Sequence, residues 1–264
     1  MTGTKPKLIT FGISHYCEKA RWALDWHGVD YDEIFCPPGW HIVLAKLRGA
    51  KRTTGPFLLD GARGIEGSGA IIDWADERAQ DASRRLTSPG ALEIEQRADH
   101  GVGINARRLF YSEALPQARH AIKQAFSANY SPFHRFIGHI TWPATILAIK
   151  MKYGIGPDAA RESRAKLNAE LDWLDSLLAD GRQYLAGDRF SRADITVASL
   201  LAPLAPPEQI KTYHNLTMPE ALLADFERWK DRPIMRWIAE LYRTGRATNG
   251  LHRGPVPPPE RVPA

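Results

Sequence analysis

The stretch 7–24, KLITFGISHYCEKARWAL, constrains the fold of this chain more than any other part of the sequence. Its apolar run LITF is rich in strand-forming residues and ends at Gly12, whereas from Cys17 onward the apolar residues recur at helical spacing. Ser14 therefore lies where a strand, a tight turn and the start of a helix meet. The unpaired N–H groups and the positive dipole end of a helix start favour a bound anion, including a thiolate.

The residue at position 14 indicates which reactions this junction can support. A cysteine there would form a C-x-x-C pair with Cys17, the motif of thioredoxin-like redox proteins. Ser14 keeps the same electrostatic environment but removes the obvious nucleophile, so the sequence predicts a site that holds the thiolate of another molecule. The alternative interpretation is an N-cap serine that opens an ordinary helix.

The rest of the first 79 residues continues the alternation of strands and helices. Gly28 is placed to end the first helix, and a crossover leads to the second strand, which predicts a parallel pair. Asp60 and Gly61 form a hairpin signal between two further apolar runs. After the first helix, strands are predicted over 29–35, 56–59 and 62–66, a short helix over 41–47, and a longer helix from Ser68. The order βαβ-α-ββα predicts a thioredoxin-like α+β domain.

The second part of the chain has helical signals and no strand signal. Residues 79–90 lack apolar periodicity and contain Pro89 and Gly90, which predicts a linker. The predicted helices run over 91–127, with a kink before Pro116, and over 133–153, with a break at Pro143; others carry the stripe Leu167, Leu171, Leu174 and Leu178, or begin at Ser191, Pro219 and Pro233. We therefore predict an α+β domain over 1–79, an all-α helical domain over 90–247, and a proline-rich tail over 248–264 that is disordered or extended.

Composition argues against several classes of protein. The 264 residues include two cysteines and no apolar run of membrane-span length, and the N-terminus lacks the apolar core of a signal peptide. We therefore expect a cytoplasmic protein without a disulfide framework or a membrane partner. The net charge of +5 raises the question of nucleic acid, but the basic residues are interspersed with acidic ones. Nucleic-acid binding is therefore not expected, whereas a positive field would attract small anions.

Three motifs resemble those of cytosolic glutathione transferases. The first is S-x-x-C-x-K-A-R-W-A-L over 14–24, which is similar to the N-terminal domain of serine-type members of the theta, zeta and omega kind. Ser14 matches the serine that activates glutathione, or the cysteine of omega-type members. The second is Pro56, which in this family follows a cis bond, so that the preceding residue pairs with the glutathione backbone; here that residue is Gly55, where valine is usual.

The third motif, IEGSGAIIDW over 65–74, resembles the family's E-S-x-A-I pattern. Ser68 is predicted to cap a helix whose free N–H groups take the γ-glutamyl carboxylate of glutathione. Gly67 stands where the family has an acidic residue, and Glu66 stands one place early. Further along, FSRADI over 190–195 resembles the family's S-x-A-D-I signature, a capping box with a role in folding. The resemblance covers about residues 7–245.

The resemblance implies a set of site residues, with glutathione as co-substrate and no metal. Ser14 is the implied catalytic residue. The implied glutathione contacts are Ser14, Tyr16, Cys17, His41, Thr54, Gly55, Pro56, Glu66, Gly67 and Ser68. The residues predicted to line a second-substrate pocket are His100, Asn105, Arg108 and Tyr111.

The implied function is a glutathione S-transferase that conjugates the glutathione thiolate to a small electrophile, as in detoxification, and that forms a homodimer. Two alternatives remain open from the sequence. One is a catalytically silent binding or interaction module with the same fold. The other is a glutathione-dependent thiol–disulfide reductase that uses Cys17.

Overall fold

The computed structural model of the chain describes residues 5–47, 55–210, 213, 216 and 218–246. Thr54, predicted to contact glutathione, lies outside the described residues, as does the predicted proline-rich tail. In the described part, no helix is both long enough and apolar enough to cross a membrane.

A four-stranded mixed sheet forms the centre of the N-terminal domain. Its strands are β1 (Lys7–Thr10), β2 (Asp32–Phe35), β3 (Phe57–Asp60) and β4 (Arg63–Glu66), in the spatial order β2-β1-β3-β4. β1 pairs parallel with β2 and antiparallel with β3, and β3 pairs antiparallel with β4. The parallel pair follows from the crossover predicted from the sequence.

Three helices cover the two faces of the sheet: α1 (His15–Trp26), α2 (Trp40–Lys46) and α3 (Ser68–Glu77). On one face, Leu8 and Leu58 belong to the same buried cluster as residues of α1 and α3. On the other face, Ile9 and Phe57 share a cluster with Ala45 of α2. Side chains of adjacent strand residues point to opposite faces, so the two central strands, β1 and β3, each contribute to both clusters. The predicted thioredoxin-like α+β fold is confirmed.

The C-terminal region is helical, as the sequence predicted. Its largest buried cluster also includes residues of α1, which places that helix between the two regions. The helices are α4 (Pro89–Ala98), α5 (Ile104–Ser127), α6 (Pro132–Tyr153), α7 (Pro157–Leu178), α8 (Arg192–Leu201), α9 (Glu220–Trp229) and α10 (Pro233–Gly245), with a π-helical segment over Asp99–Gly103 joining α4 to α5.

Two predicted element boundaries are wrong for reasons of local hydrogen bonding and packing. The second strand begins at Asp32 rather than at residue 29, because the Val29 N–H bonds to the Leu24 carbonyl and closes α1 around Gly28 (φ +65°). The predicted break at Pro143 is absent from α6, which continues through it. A mid-helix proline removes one backbone hydrogen bond, and burial of the α6 face that carries Trp142 and Ile146 outweighs that loss.

Two further predictions are corrected in detail. The kink expected before Pro116 lies after it, at Ala118, where φ is −119° and ψ is 27°. The predicted linker includes a 3₁₀ turn over Ala82–Arg84, and α4 begins inside it, after the N-cap Ser88.

The predicted capping box at the start of α8 is confirmed. The Asp194 carboxylate accepts the Ser191 N–H and O–H, each at 2.7 Å. The same carboxylate also accepts the Leu185 N–H at 2.8 Å. All of these groups are buried, which supports the folding role predicted for this motif.

Candidate functional site

Ser14 lies at the N-terminus of α1, as predicted. It is the N-cap residue, and its Oγ accepts a hydrogen bond from the Cys17 N–H at 3.4 Å. The Ser14 carbonyl accepts the N–H groups of Cys17 and Glu18, both at 3.0 Å. The first two N–H groups of the helix, at His15 and Tyr16, therefore have no carbonyl partner within it. These groups and the helix dipole give the junction a positive electrostatic potential.

Ser14 lines a cavity of about 710 Å³ between the N-terminal domain and the helical region. The N-terminal side of the wall comes from the β1–α1 loop, from α2 and from Gly55. The helical side comes from α5 and α6, with Pro203. Most of the wall is aromatic or aliphatic, so the cavity suits an apolar ligand beside the polar helix start.

Gly55 lies in the same wall, and the Gly55–Pro56 peptide bond is cis, as the family resemblance implied. A β-carbon at position 55 would lie 2.6 Å from Cε2 of Phe11. The Phe11 ring thus occupies the space that a valine side chain would need. The departure from the family pattern at this position is therefore explained by Phe11, another residue of the cavity wall.

The start of α3 lies next to Pro56, because the Gly67 N–H donates to the Pro56 carbonyl at 2.9 Å. Gly67, with φ +86°, is the N-cap residue, and Ser68 is the first residue of the helix. The prediction that Ser68 caps α3 is therefore wrong. Glycine fits this position because a positive φ is strained for residues with a side chain. A β-carbon at this position would meet no neighbouring atom within 4 Å among the described residues, so these residues leave space beside Gly67.

The structure brings together part of the predicted glutathione set. Ser14, His41 and Gly55 line the cavity, and Pro56, Glu66, Gly67 and Ser68 are joined to them through the Gly67–Pro56 hydrogen bond. Tyr16 and Cys17 do not line the cavity. Their roles as ligand contacts, like those of the other members, remain predictions.

His41 is buried rather than solvated. Its Nδ1 accepts the Gly39 N–H at 3.1 Å, and its ring lies edge-on to Phe11 with the ring centroids 4.5 Å apart. Tyr16 is half-buried, and its hydroxyl donates to the Asp99 carbonyl at 2.8 Å. Tyr16 therefore links α1 to the π-helical segment.

Cys17 is fully buried, with its sulfur accepting the Phe11 N–H at 3.5 Å. Burial raises the pKa of the Cys17 thiol, while Arg21 and the Ser14 hydroxyl partly offset the increase. A thiol with a raised pKa is a poor nucleophile at neutral pH. Cys17 thus packs as a small buried side chain.

Of the residues predicted for a second-substrate pocket, Tyr111 lines the cavity and the other three do not. The His100 Nδ1 lies 2.7 Å from the Gln96 carbonyl, and the Asn105 side chain donates to the Gly101 carbonyl at 2.6 Å. Arg108 donates to the Tyr153 carbonyl and pairs with Glu162 at 2.7 Å. These three side chains are engaged in contacts with other helical residues.

Sequence reasoning missed most residues on the helical side of the cavity. On α5 these are Arg107 and Phe110, which lie beside Tyr111, and Phe126 near the end of the helix. On α6 they are Ile137, Thr141, Ala144, Thr145, Ala148, Ile149, Lys152 and Tyr153. Their spacing of three and four residues is a helical-face signal, and it could have been found by assigning α6 a buried face and asking what that face encloses. No group of histidine, cysteine or acidic residues in the described part is arranged to hold a metal ion.

Two family models match the sequence. The model of the glutathione S-transferase N-terminal domain matches residues 8–83, and that of the C-terminal domain matches residues 157–239. Together they cover more than half of the chain. The chain belongs to the glutathione S-transferase family.

Solved structures of glutathione S-transferases resemble this chain in fold. A glutathione S-transferase from Rhodospirillum rubrum F11 has 20% sequence identity and a TM-score of 0.52, with 88% of this chain and 91% of that one covered. The β-etherase LigF from Sphingobium sp. strain SYK-6 has 17% identity and a TM-score of 0.57, with 90% and 99% covered. A glutathione S-transferase from Ceriporiopsis subvermispora, solved in complex with glutathione, has 17% identity and a TM-score of 0.55, with 91% and 96% covered.

At such identities these similarities concern the fold. A comparison with curated proteins finds no match. Family membership supports glutathione transferase function in general for this chain, and the Sphingobium β-etherase indicates that one fold serves different reactions.

Proposed function

We propose that this glutathione S-transferase binds glutathione and conjugates its thiolate to a small electrophile in the cavity. The observation that carries the proposal is the place of Ser14, which caps α1 and lines the cavity beside the Gly55–Pro56 cis bond. In the reaction, the sulfur forms a bond to an electrophilic carbon of the substrate. The electron pair displaced from that carbon leaves with a leaving group or enters a conjugated system, and the thiol proton is released to solvent.

The Ser14 hydroxyl and the start of α1 can together supply the free energy needed to ionise the glutathione thiol. An unperturbed thiol has a pKa near 8.5, and lowering it by about two units requires roughly 2.7 kcal/mol. A hydroxyl that donates to the thiolate supplies about 1.5–3 kcal/mol, and the helix dipole about 0.3–1 kcal/mol. The Ser14 oxygen already accepts the Cys17 N–H, and rotation of the hydroxyl can direct its proton to a thiolate in the cavity.

Glutathione would extend from Ser14 towards the start of α3. The backbone of Gly55 would pair with its cysteinyl residue, and the helix start at Gly67 would take its γ-glutamyl carboxylate. His41 in the cavity wall would lie towards the glycyl end. The bond between Gly67 and Pro56 supports this arrangement because it holds the two contact regions side by side.

The structure does not favour the alternative of a reductase that uses Cys17. A reductase would have to form a mixed disulfide between that residue and glutathione, which requires an accessible thiolate. The Cys17 sulfur is buried, and burial raises its pKa. The Cys17 thiol is therefore neither accessible nor readily ionised.

The test is Ser14→Ala, measured by the ultraviolet absorbance of the bound thiolate against pH. We expect the pKa of bound glutathione to rise towards its solution value and the conjugation rate at pH 7 to fall about ten- to a hundredfold, following a loss of about 1.5–3 kcal/mol. The matched control is Ser88→Ala, because Ser88 caps α4 through the Ala91 N–H at 3.3 Å and does not line the cavity. Ser88→Ala should lower the free energy of unfolding by about as much as Ser14→Ala and leave the pKa of bound glutathione unchanged.

A Ser14→Ala variant with an unchanged titration and an unchanged rate would contradict the role of Ser14. A wild-type protein that binds glutathione but conjugates it to none of several electrophiles would favour the silent binding module instead. Loss of activity in Cys17→Ala, with Ser14→Ala unaffected, would move the chemistry to the cysteine.

We also propose that the protein forms a homodimer through α6. Five apolar residues of α6 are at least half exposed, and at helical spacing they fall within an arc of about 60°: Phe133, Phe136, Ile140, Leu147 and Met151. A contiguous exposed apolar stripe of this kind is typical of a protein–protein interface. Sedimentation of the wild type as a dimer at micromolar concentration, and of Leu147→Glu as a monomer, would support the proposal. A wild-type monomer would contradict it.

A further inference from the structure

Arg107 differs from the other inward-facing arginines of this protein in its partners. Arg21, Arg164, Arg192 and Arg246 each pair with at least one carboxylate. In the described part of the chain, Arg107 has no carboxylate within ion-pair distance, and its Nε is buried without a hydrogen-bond partner. It lines the cavity. The residue as a whole is half-buried, and a partly desolvated cation without an anion costs free energy, so its position calls for an explanation.

Two tyrosine rings hold the Arg107 guanidinium in place. Its Cζ lies 4.3 Å from the centroid of the Tyr153 ring and 5.4 Å from that of Tyr16. The Tyr16 ring is itself fixed, because its hydroxyl donates to the Asp99 carbonyl. Contact with aromatic faces offsets part of the cost of desolvating the cation, and it leaves the N–H groups at the edge of the guanidinium free to donate.

The charges around the cavity are of one sign. No aspartate or glutamate is among the described residues that line it, whereas Lys152 is a second cation at its edge. The His15 Nε2, in the same wall, is buried and has no hydrogen-bond partner in the described structure. Burial and the nearby positive charges of Arg107 and Lys19 hold the pKa of His15 well below its usual range, so it is neutral at pH 7.

The remaining wall determines what kind of molecule would carry the anion. Phe11, Trp40, Phe110 and Phe126 contribute aromatic surface, and Tyr111 stacks against Tyr153 with centroids 6.0 Å apart. A cavity of this type accepts flat, apolar ligands. Arg107 belongs to the helical wall of the cavity, on α5, whereas Ser14 and Gly55, where the co-substrate is proposed to lie, belong to the N-terminal wall.

We propose, on the basis of the conjugation function proposed above, that the second substrate is an aromatic electrophile bearing a carboxylate or a similar oxyanion, and that Arg107 binds this anion. The guanidinium fork presents two parallel N–H groups, which suit a planar carboxylate. The aromatic wall holds the ring and leaves the electrophilic carbon on the side of Ser14.

The test compares two electrophiles that differ in one anionic group: benzyl chloride and para-(chloromethyl)benzoate. In both, the glutathione sulfur bonds to the benzylic carbon and chloride leaves with the electron pair of the C–Cl bond. Arg107→Met should lower kcat/KM for the carboxylate about ten- to a hundredfold, chiefly through KM, and that for benzyl chloride less than about threefold. For the carboxylate, Arg107→Lys should give a kcat/KM between those of the wild type and Arg107→Met, because lysine keeps the positive charge but lacks the two parallel N–H donors of the guanidinium.

The matched control is Arg108→Met, which changes the neighbouring arginine outside the cavity wall and should leave the preference between the two electrophiles unchanged. Equal losses for both electrophiles in Arg107→Met, or no loss for the carboxylate, would overturn the inference. A loss of glutathione affinity in Arg107→Met would also overturn it, because Arg107 would then bind the co-substrate.

Binding of unreactive para-methylbenzoate, measured by calorimetry, separates this inference from the proposed function. Suppose that para-methylbenzoate binds, that Arg107→Met weakens this binding at least about tenfold, and that the wild-type protein turns over neither electrophile. That result would support the anion site and contradict the conjugation proposal. Turnover of benzyl chloride without binding of para-methylbenzoate would support conjugation and contradict the anion site.

Discussion

A side chain at position 55 should clash with Phe11, and the structure gives the size of the clash. A β-carbon on Gly55 would lie 2.6 Å from Cε2 and 3.2 Å from Cζ of the Phe11 ring. Carbon atoms pack best at about 3.5–4.0 Å, so the closest contact is short by about 1 Å. The edge-on contact between Phe11 and His41 limits how far the ring can move. Gly55→Ala should therefore cost about 1–3 kcal/mol of the free energy of unfolding.

Without the Phe11 ring, Gly55→Ala should stabilise the protein instead of destabilising it. The φ of Gly55 is not in the left-handed region, so alanine can adopt the local backbone conformation. In a Phe11→Ala background, Gly55→Ala should stabilise the protein by about 0.4–1 kcal/mol through a smaller loss of chain entropy on folding. The double-mutant cycle should thus give a coupling free energy of at least about 1 kcal/mol between positions 11 and 55.

Urea unfolding of the four proteins measures this coupling, with unchanged m-values as the check that each variant unfolds in the same way. Gly90→Ala is the matched control, because a β-carbon there meets no atom within 4 Å among the described residues and its φ is also outside the left-handed region. Its effect should be the same with and without the Phe11 ring. If Gly55→Ala is as costly without the ring as with it, the clash does not explain the glycine.

Two other predictions follow from buried groups. Asp194→Ala should lower the free energy of unfolding by about 2–4 kcal/mol, because the N–H groups of Leu185 and Ser191 lose their acceptor, and it should leave the pKa of bound glutathione unchanged; lost activity with unchanged stability would contradict the folding role. Burial raises the pKa of the Cys36 thiol to about 12, so at pH 8 about one molecule in ten thousand carries the thiolate, against about a quarter for a free thiol. Mass spectrometry should therefore find Cys36, and the buried Cys17, unmodified by iodoacetamide at pH 8 in the native protein and modified in urea; rapid native modification would contradict the burial.

The N-terminal domain was predictable because its local signals agree with its packing. Apolar runs, the crossover after α1 and the hairpin signal at Asp60 and Gly61 all point to one topology, and the structure has it. Boundaries were less predictable where a backbone group has two possible uses. The Val29 N–H closes α1 instead of joining the sheet, and only the tertiary structure decides between these uses.

The candidate site was predictable on one side only. Ser14 and Gly55 belong to motifs that are local in sequence, so their neighbourhood could be inferred. The helical side depends on the phase of α5 relative to α4, and the π-helical segment Asp99–Gly103 changes that phase, because it has a longer turn than an α-helix. A face extrapolated from His100 into α5 is therefore not one face. Arg107 lies on α5 itself, four residues before Tyr111, and that spacing could have indicated it.

The charged residues of α1 explain how the site keeps its geometry. Four charged side chains of this helix are buried, and each pairs with residues of other elements: Glu18 with Arg246, Lys19 with Glu95 and Asp99, Arg21 with Glu33, and Asp25 with Arg246. Buried ion pairs add little net stability, but loss of one partner costs about 3–5 kcal/mol. A rotation or shift of α1 would break several of these pairs at once. The partners come from both the N-terminal domain and the helical region, so they hold α1 in one orientation relative to both walls of the cavity. The helix start at Ser14 is thereby fixed before any ligand binds, which is the condition for a hydroxyl and a helix dipole to stabilise a thiolate without reorganisation.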